Sequence, residues 1–400
     1  MTESSNQSST GFFLYSLLVL IPSIDTAYKY FKLPGIIVYI FVGLIALFVA
    51  VKWVVPFVRR SIPERVLLIL TVLMFVGLIG FSAVGYSLAT SGRFGAGSDA
   101  DDALVMAAVD VVAGVHPYTK LTYLNNPISP MPGAVIIAIP FAVTGTIYLL
   151  NIFWLAILFF VLRRNGGTVL AFSSVALMLA ISPTVLQNLA TGSDYVANTV
   201  YIAIAIWLLI ASVADKAAPE WHRIASAIFL GIGLSSRSNF FVLMPLVFSA
   251  LFQLGSLWQA FKYLGIAAIS CVAITLPFYL WDPANFSPIL VQASKVTSIE
   301  TVLPFAGVLI PLSGFLTAGL LGLRRYKPNE AAFYWHCAIA QFVILIFTTV
   351  LHSIKLGKVD IFVGQSGYGM FTLVFAAIAF SLTYFGEPND QNIETARSNS

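Results

Sequence analysis

The chain has 400 residues, of which 59% are hydrophobic and 10% are charged, with a formal net charge of +4. Soluble domains run at roughly 45–50% apolar and about 25% charged, so a water-soluble globular protein is excluded. Basic residues form no long run and do not interleave with aromatics, which leaves nucleic-acid binding without support.

The apolar segments are continuous rather than alternating, which excludes a β-barrel and predicts helices. The expected fold is all-α: a polytopic transmembrane helical bundle of about 11–13 spans. In chain order the spans are predicted near 11–30, 34–55, 66–89, 132–162, 168–187, 195–213, 223–237, 239–254, 264–281, 304–323, 331–351 and 368–385. Pro22 and Asp25 interrupt the first, and 132–162 is long enough to hold a short re-entrant piece before a span. The first ten residues carry no Lys or Arg, so the first apolar run reads as an uncleaved anchor. One multi-pass domain, 1–385, is followed by a short polar tail, 386–400.

Basic residues in alternate loops set the orientation. Arg59-Arg60, Arg163-Arg164, Lys216 with Arg223, Lys262, and Arg324-Arg325 with Lys327 all fall on one side, expected to be cytoplasmic. The tail and both termini then lie in the cytoplasm, and 90–131, 187–195, 281–303 and 352–367 lie outside a cell (inner or plasma) membrane.

The outer loops carry the polar chemistry. Asp99, Asp101 and Asp102 cluster at the edge of a span, where charge is costly and usually lines a site. Over 102–115, Leu104, Ala107, Ala108, Val111, Val112 and Val115 share one helical face, with Asp102 and Asp110 off it. This predicts an amphipathic helix along the membrane surface in the first loop. Residues 286–299 repeat the pattern, with Phe286, Ile289, Leu290, Ala293 and Val296 opposite Gln292 and Lys295. Asp102 is also a natural N-cap for a helix from Ala103, and Asp194 for one from Tyr195.

Together with Gly-Val-His-Pro-Tyr at 114–118 and Asn-Pro-Ile-Ser-Pro-Met-Pro-Gly at 126–133, these acids carry a resemblance. So do Gly-Leu-Ser-Ser-Arg-Ser-Asn-Phe at 233–240 and Leu-Pro-Phe-Tyr-Leu-Trp-Asp-Pro at 276–283. The chain resembles the GT-C superfamily of membrane glycosyltransferases, nearest to its polyprenol-phosphate-mannose-dependent branch. The likeness runs over about residues 66–385 and rests more on motif order than on any one motif.

The resemblance implies transfer of a hexose, mannose in that branch, from a polyprenyl-phosphate sugar to a glycan, glycolipid or protein acceptor. It implies a first-loop carboxylate as base, with Asp99 ranked before Asp102 and Asp101, although the usual aromatic after the acid is here Leu104 or Val105. A carboxylate suits the task because the acceptor hydroxyl must lose a proton as it attacks. Arg237, outside the membrane against the positive-inside rule, is expected at the lipid phosphate, with Lys295 as a second contact. Its blander reading is an interfacial Arg reaching for headgroups. His116, Tyr118, Asn126 and Asp194 are candidates to contact substrate, alongside Tyr123 and Asn125. Loop Asn and Pro are also ordinary turn residues, and a surface His is more often inert. Asp282 beside Trp281 reads as a helix-end pair.

No Gly-rich nucleotide loop and no metal-ligand spacing of His occur. The acids could in principle hold a divalent ion, but the resemblance implies no metal, and no cofactor is expected. Cys271 and Cys337 lie in apolar runs and read as buried thiols. Two rivals remain. One is a transporter or flippase of lipid-linked saccharide, which favours mid-membrane charges and related halves. The other is a polysaccharide polymerase or ligase.

Overall fold

In the computed structural model, residues 9–93, 98–328, 330–361 and 367–386 are described. Gly97 of the acidic stretch, 362–366 of the last loop expected outside and the tail from 387 lie outside the described residues.

Ser9–Leu20 (α1) passes through a 3-10 turn, Ile21–Ser23, that accommodates Pro22, into Ile24–Val49 (α2). Helical geometry breaks in α2 at Lys32 (φ 56°, ψ −154°). The chain then doubles back: Tyr39 Oη donates to the Leu20 carbonyl at 3.2 Å, and Phe12 and Phe48 rings lie 6.3 Å apart. The segment continues through a π turn, Ala50–Val54, into Val55–Ser61 (α3), and Glu64–Thr90 (α4) follows.

Ala100–Val112 (α5) packs along Pro132–Val143 (α6). At 12 residues, α6 reaches about 18 Å, too short for a hydrocarbon core of about 30 Å. The run 132–162 is therefore α6 plus the first half of Leu150–Ile181 (α7). A second reversal sits at Gly166 and Gly167; Gly167 has φ 80°, open to glycine at no steric cost. Asn151, at the start of α7, donates to the carbonyls of Asn188 (3.3 Å) and Ser193 (2.8 Å), so the halves of α7 run antiparallel. The predicted span 168–187 is interrupted: α7 ends at Ile181, and Pro183–Thr191 (α8) restarts with the Ser182 hydroxyl capping Val185 N–H.

The remaining helices are Tyr195–Ala214 (α9), Glu220–Leu234 (α10), Met244–Leu254 (α11), Leu257–Trp281 (α12), Ser287–Glu300 (α13), Ala306–Gly322 (α14), Ala331–Leu356 (α15) and Met370–Tyr384 (α16). The best 18-residue window of α9 is 89% buried, against 22% for α4 and 11% for α12. Hence α9 is the central post, and α4 and α12 face lipid with residues such as Val72 and Ile269. Close helix contact in lipid depends on small residues. At Gly231 of α10 a Cβ would meet the Ala267 carbonyl oxygen of α12 at 2.3 Å.

Among the described residues, six elements are long and apolar enough to cross a membrane, and four more apolar helices are shorter. The chain is an all-α, multi-pass membrane bundle. Two of the six long elements, Thr10–Ser61 and Ile147–Ile181, contain the reversals at Lys32 and Gly166–Gly167, so each folds back on itself and the number of elements is not the number of passes. The ends of α1 and α16 meet, with Phe12 and Tyr384 rings 5.5 Å apart and Arg59 donating to the Phe385 carbonyl.

Candidate functional site

Helix α5 starts at Ala100, three residues earlier than predicted, which changes the role of each acid. Asp99 occupies the N-cap position, yet its carboxylate caps nothing. Its Oδ2 instead accepts from the Thr122 hydroxyl (2.6 Å) and the Asn126 amide (2.8 Å). Those donors belong to a tight turn: Asn125 takes φ 59°, Asn125 N–H donates to Thr122 O, and Thr122 N–H to Asn126 O. Asp102 is not the cap; it lies in the first turn and accepts from Tyr123 N–H at 3.2 Å. Two of the three acids thus clasp the 122–126 turn onto the start of α5.

Asp101 points the other way and is 4% exposed. It lies against Tyr86 of α4 and Gly192, where an added Cβ would meet Asp101 Cβ at 3.2 Å. Burial pushes its carboxyl up to about 6, opposed by the Tyr86 hydroxyl and by N–H groups of the first helical turn. Its Oδ1 has no hydrogen-bond partner.

The expected apolar face of α5 is corrected in part. Leu104, Ala107 and Ala108 are fully buried, while Val112 (57%) and Val115 (44%) are exposed. Asp110 is buried beside Lys120 (2.6 Å) rather than facing water. α5 is held between α6 and the loop that follows, so its inner face is set by protein and its outer valines are left for lipid. In α13 too, Ile289 and Leu290 are half exposed, while Gln292 and Lys295, themselves exposed, line an open cavity.

Arg237 is not an exposed tip. It is 8% exposed and donates from Nη2 to Asp194 Oδ1 at 2.7 Å, with its guanidinium carbon 4.8 Å from the Tyr195 ring centroid. Asp194 is at the N-cap position of α9 without a capping hydrogen bond. Its Oδ2 accepts from Asn198 Nδ2 (2.9 Å), and Tyr201 hydrogen-bonds Asn198 in turn. Tyr195 lies 5.7 Å from the Tyr368 ring, and Lys295 Nζ donates to Tyr368 Oη at 3.2 Å.

The acidic loop reaches this pair. Ser98 and Ser193 hydroxyls are 3.2 Å apart, and the Asp99 and Asp194 carboxylates both act electrostatically on Tyr195. The structure therefore brings together Asp99, Asp101, Asn126, Asp194, Arg237 and Lys295 along one path. Tyr195 and Tyr368 were missed by sequence reasoning: each is an aromatic at a helix start, a pattern that recurs throughout the chain.

His116 and Tyr118 do not join them. Both are buried, at 8% and 4% exposure. His116 packs edge-on to Trp281 (5.4 Å) and Tyr118 edge-on to Phe286 (5.0 Å), fastening the loop after α5 to the one after α12. Asp282 is local, accepting from Asn285 N–H and its side-chain amide. Tyr123 is exposed, and Cys271 and Cys337 are buried free thiols.

Beside Tyr368 lies a cavity of about 450 Å³ among α13, α14, α15 and the 238–243 turn. Lys295, Gln292 and His352 supply polar lining, and Val242, Phe315 and Leu345 supply apolar lining. Gln341 and His352, both on α15, bracket it; eleven residues of helix make it about 16 Å long. Among the described residues no group of three or more His, Cys, Asp or Glu side chains is placed to hold a metal. No known protein family, curated protein or solved structure matches the chain.

Proposed function

We propose that this protein is a membrane glycosyltransferase that moves a hexose from a polyprenyl-phosphate sugar to an extracytoplasmic acceptor. The observation that carries the reading is the junction of a first-loop carboxylate with the head of a long amphipathic cavity. Asp99 reaches Tyr195 through the Ser98–Ser193 contact, and Tyr195 adjoins Tyr368 and Lys295 at the cavity. An isoprenoid chain would lie along Val242, Phe315 and Leu345, its phosphate near Lys295 and its sugar toward Asp99.

In this reading Asp99 is the base. Thr122 and Asn126 fix its Oδ2 and leave Oδ1 without a partner among the described residues, so one oxygen is oriented and the other is available for the acceptor proton. Asp102 keeps the clasping turn in place. Arg237, committed to Asp194, acts from behind as part of a neutral pair, and the phosphate contact passes to Lys295. The outer side of the bundle is taken as the Asp99 end, twelve passes returning both termini to the cytoplasm.

A flippase of lipid-linked saccharide is the second reading, because Asp194–Arg237 and Asp25 are buried charges between helices, where transporters keep them. Purified protein in nanodiscs, given radiolabelled polyprenyl-phosphate mannose and a lipid extract as acceptor source, separates the two. Transfer of label to an acceptor supports the enzyme. Movement of intact donor across a vesicle bilayer without transfer supports the flippase and overturns the proposal.

A further inference from the structure

The cavity beside Tyr368 has a polar group that the proposed transfer leaves unused. His352, near the end of α15, lines the cavity, and its Nδ1–H donates to Asp360 Oδ2 at 2.9 Å. Asp360 is itself buried at 5% exposure, and its backbone N–H donates to the Ser353 hydroxyl at 2.9 Å, one residue on from His352. A carboxylate on Nδ1 fixes the imidazole tautomer and ring plane. Nε2 is then the nitrogen left for a ligand, and it has no partner among the described residues.

Lys295 lines the same cavity from α13. Helix α13 is tied over the cavity at two points: Lys295 to Tyr368, and Lys355 of α15 to the Ser298 hydroxyl. Val296 closes the gap between them, where an added Cβ on Gly307 of α14 would meet it at 2.4 Å. The cavity is thus lined by Lys295 and by His352, which Asp360 backs, with apolar lining at Phe315 and Leu345. Such an arrangement suits an amphiphile with a compact anionic head and an apolar tail. Lys295, His352 and, behind His352, Asp360 sum to zero charge with a neutral imidazole and to one positive charge when the imidazole is protonated.

We infer that the His352–Asp360 pair is a phosphate-recognition element, in which His352 Nε2–H hydrogen-bonds the phosphate of a lipid phosphate monoester and Asp360 positions the ring. The inference rests on the cavity assignment of the proposed function, but not on sugar transfer. Asp360 makes the imidazole a better donor by stabilising positive charge on it, and Lys295 supplies the second charge-assisted contact.

The test uses full-length protein in nanodiscs with farnesyl phosphate, farnesol and inorganic phosphate as probes. Binding is followed by intrinsic fluorescence and by the ³¹P resonance of bound farnesyl phosphate. A lost hydrogen bond to a charged group is worth about 1.5–3 kcal/mol, so His352→Gln should bind farnesyl phosphate roughly 10–150-fold more weakly. Farnesol affinity should not change. Asp360→Asn should weaken farnesyl phosphate several-fold and move the ³¹P shift in the same direction as His352→Gln, which a merely structural role of Asp360 would not do. Inorganic phosphate should bind much more weakly than farnesyl phosphate; equal binding identifies a free-anion site and overturns the lipid assignment. Unchanged farnesyl phosphate affinity and ³¹P shift in His352→Gln, or an equal loss for farnesol, overturns the recognition role. Variants that bind as predicted while no sugar transfer occurs uphold this inference and remove the transferase reading instead.

Discussion

The Asp194–Arg237 pair offers the sharpest test of what the core of the site does. Asp194 is 1% exposed and Arg237 8%. The single contact of 2.7 Å is backed by Asn198 on the acid and the Tyr195 ring on the base. Removing one partner of a buried ion pair leaves the other charge uncompensated, at about 3–5 kcal/mol. Arg237→Met should therefore destabilise by about that amount, and Asp194→Leu by a similar amount. The double variant keeps the volume and removes both charges, so it should come within about 1–2 kcal/mol of wild type, or exceed it. A coupling energy of about 3 kcal/mol or more should emerge from the cycle. Reversible unfolding in mixed detergent–SDS micelles, followed by circular dichroism, measures all four proteins. Additive losses, or a cost below about 1 kcal/mol for Arg237→Met, would refute the buried-pair argument. The same proteins settle the role of Arg237 toward donor. If its work is architectural, the double variant regains donor affinity along with stability. If it touches phosphate, stability returns and affinity does not.

Three further outcomes are expected. Asp99→Asn should lower transfer by about 10²–10⁴-fold with expression unchanged, and Asp102→Asn should cost less because Asn keeps a carbonyl oxygen to accept from Tyr123 N–H; the reverse order, measured in the nanodisc assay, would make Asp102 the base. Asp101 has its carboxyl raised to about 6 in the fold, against about 3.9 unfolded, so its stabilising contribution is complete below about pH 4 and is lost as pH rises through about 6. Asp101→Asn should accordingly raise stability at pH 7.5 relative to wild type by about 2–3 kcal/mol and leave it little changed at pH 4; a difference independent of pH between 4 and 7.5 contradicts this. Thr119→Cys, in an exposed part of the loop after α5 and in a chain whose two native thiols are buried, should react with impermeant thiol reagents on intact cells, and labelling only after lysis would place the acids in the cytoplasm.

The sequence by itself determined the class of fold. Continuous apolar runs in a chain with 10% charge leave helices in lipid as the only way to satisfy the backbone. It also located the acid cluster and the outlying Arg237, because charge is rare enough here for each to stand out. Periodicity could not show where helices reverse, since Lys32 and Gly166–Gly167 interrupt runs whose composition stays apolar on both sides. Nor could it show which face of α5 is inside: when one side meets protein and the other meets lipid, both are apolar, so Val112 and Leu104 look alike in sequence and differ in burial. The pairing of Asp194 with Arg237, the clasp of Asn126 on Asp99 and the meeting of His352 with Lys295 at one cavity join residues far apart in the chain. Only tertiary packing decided those. The same packing set His116 and Tyr118 against Trp281 and Phe286.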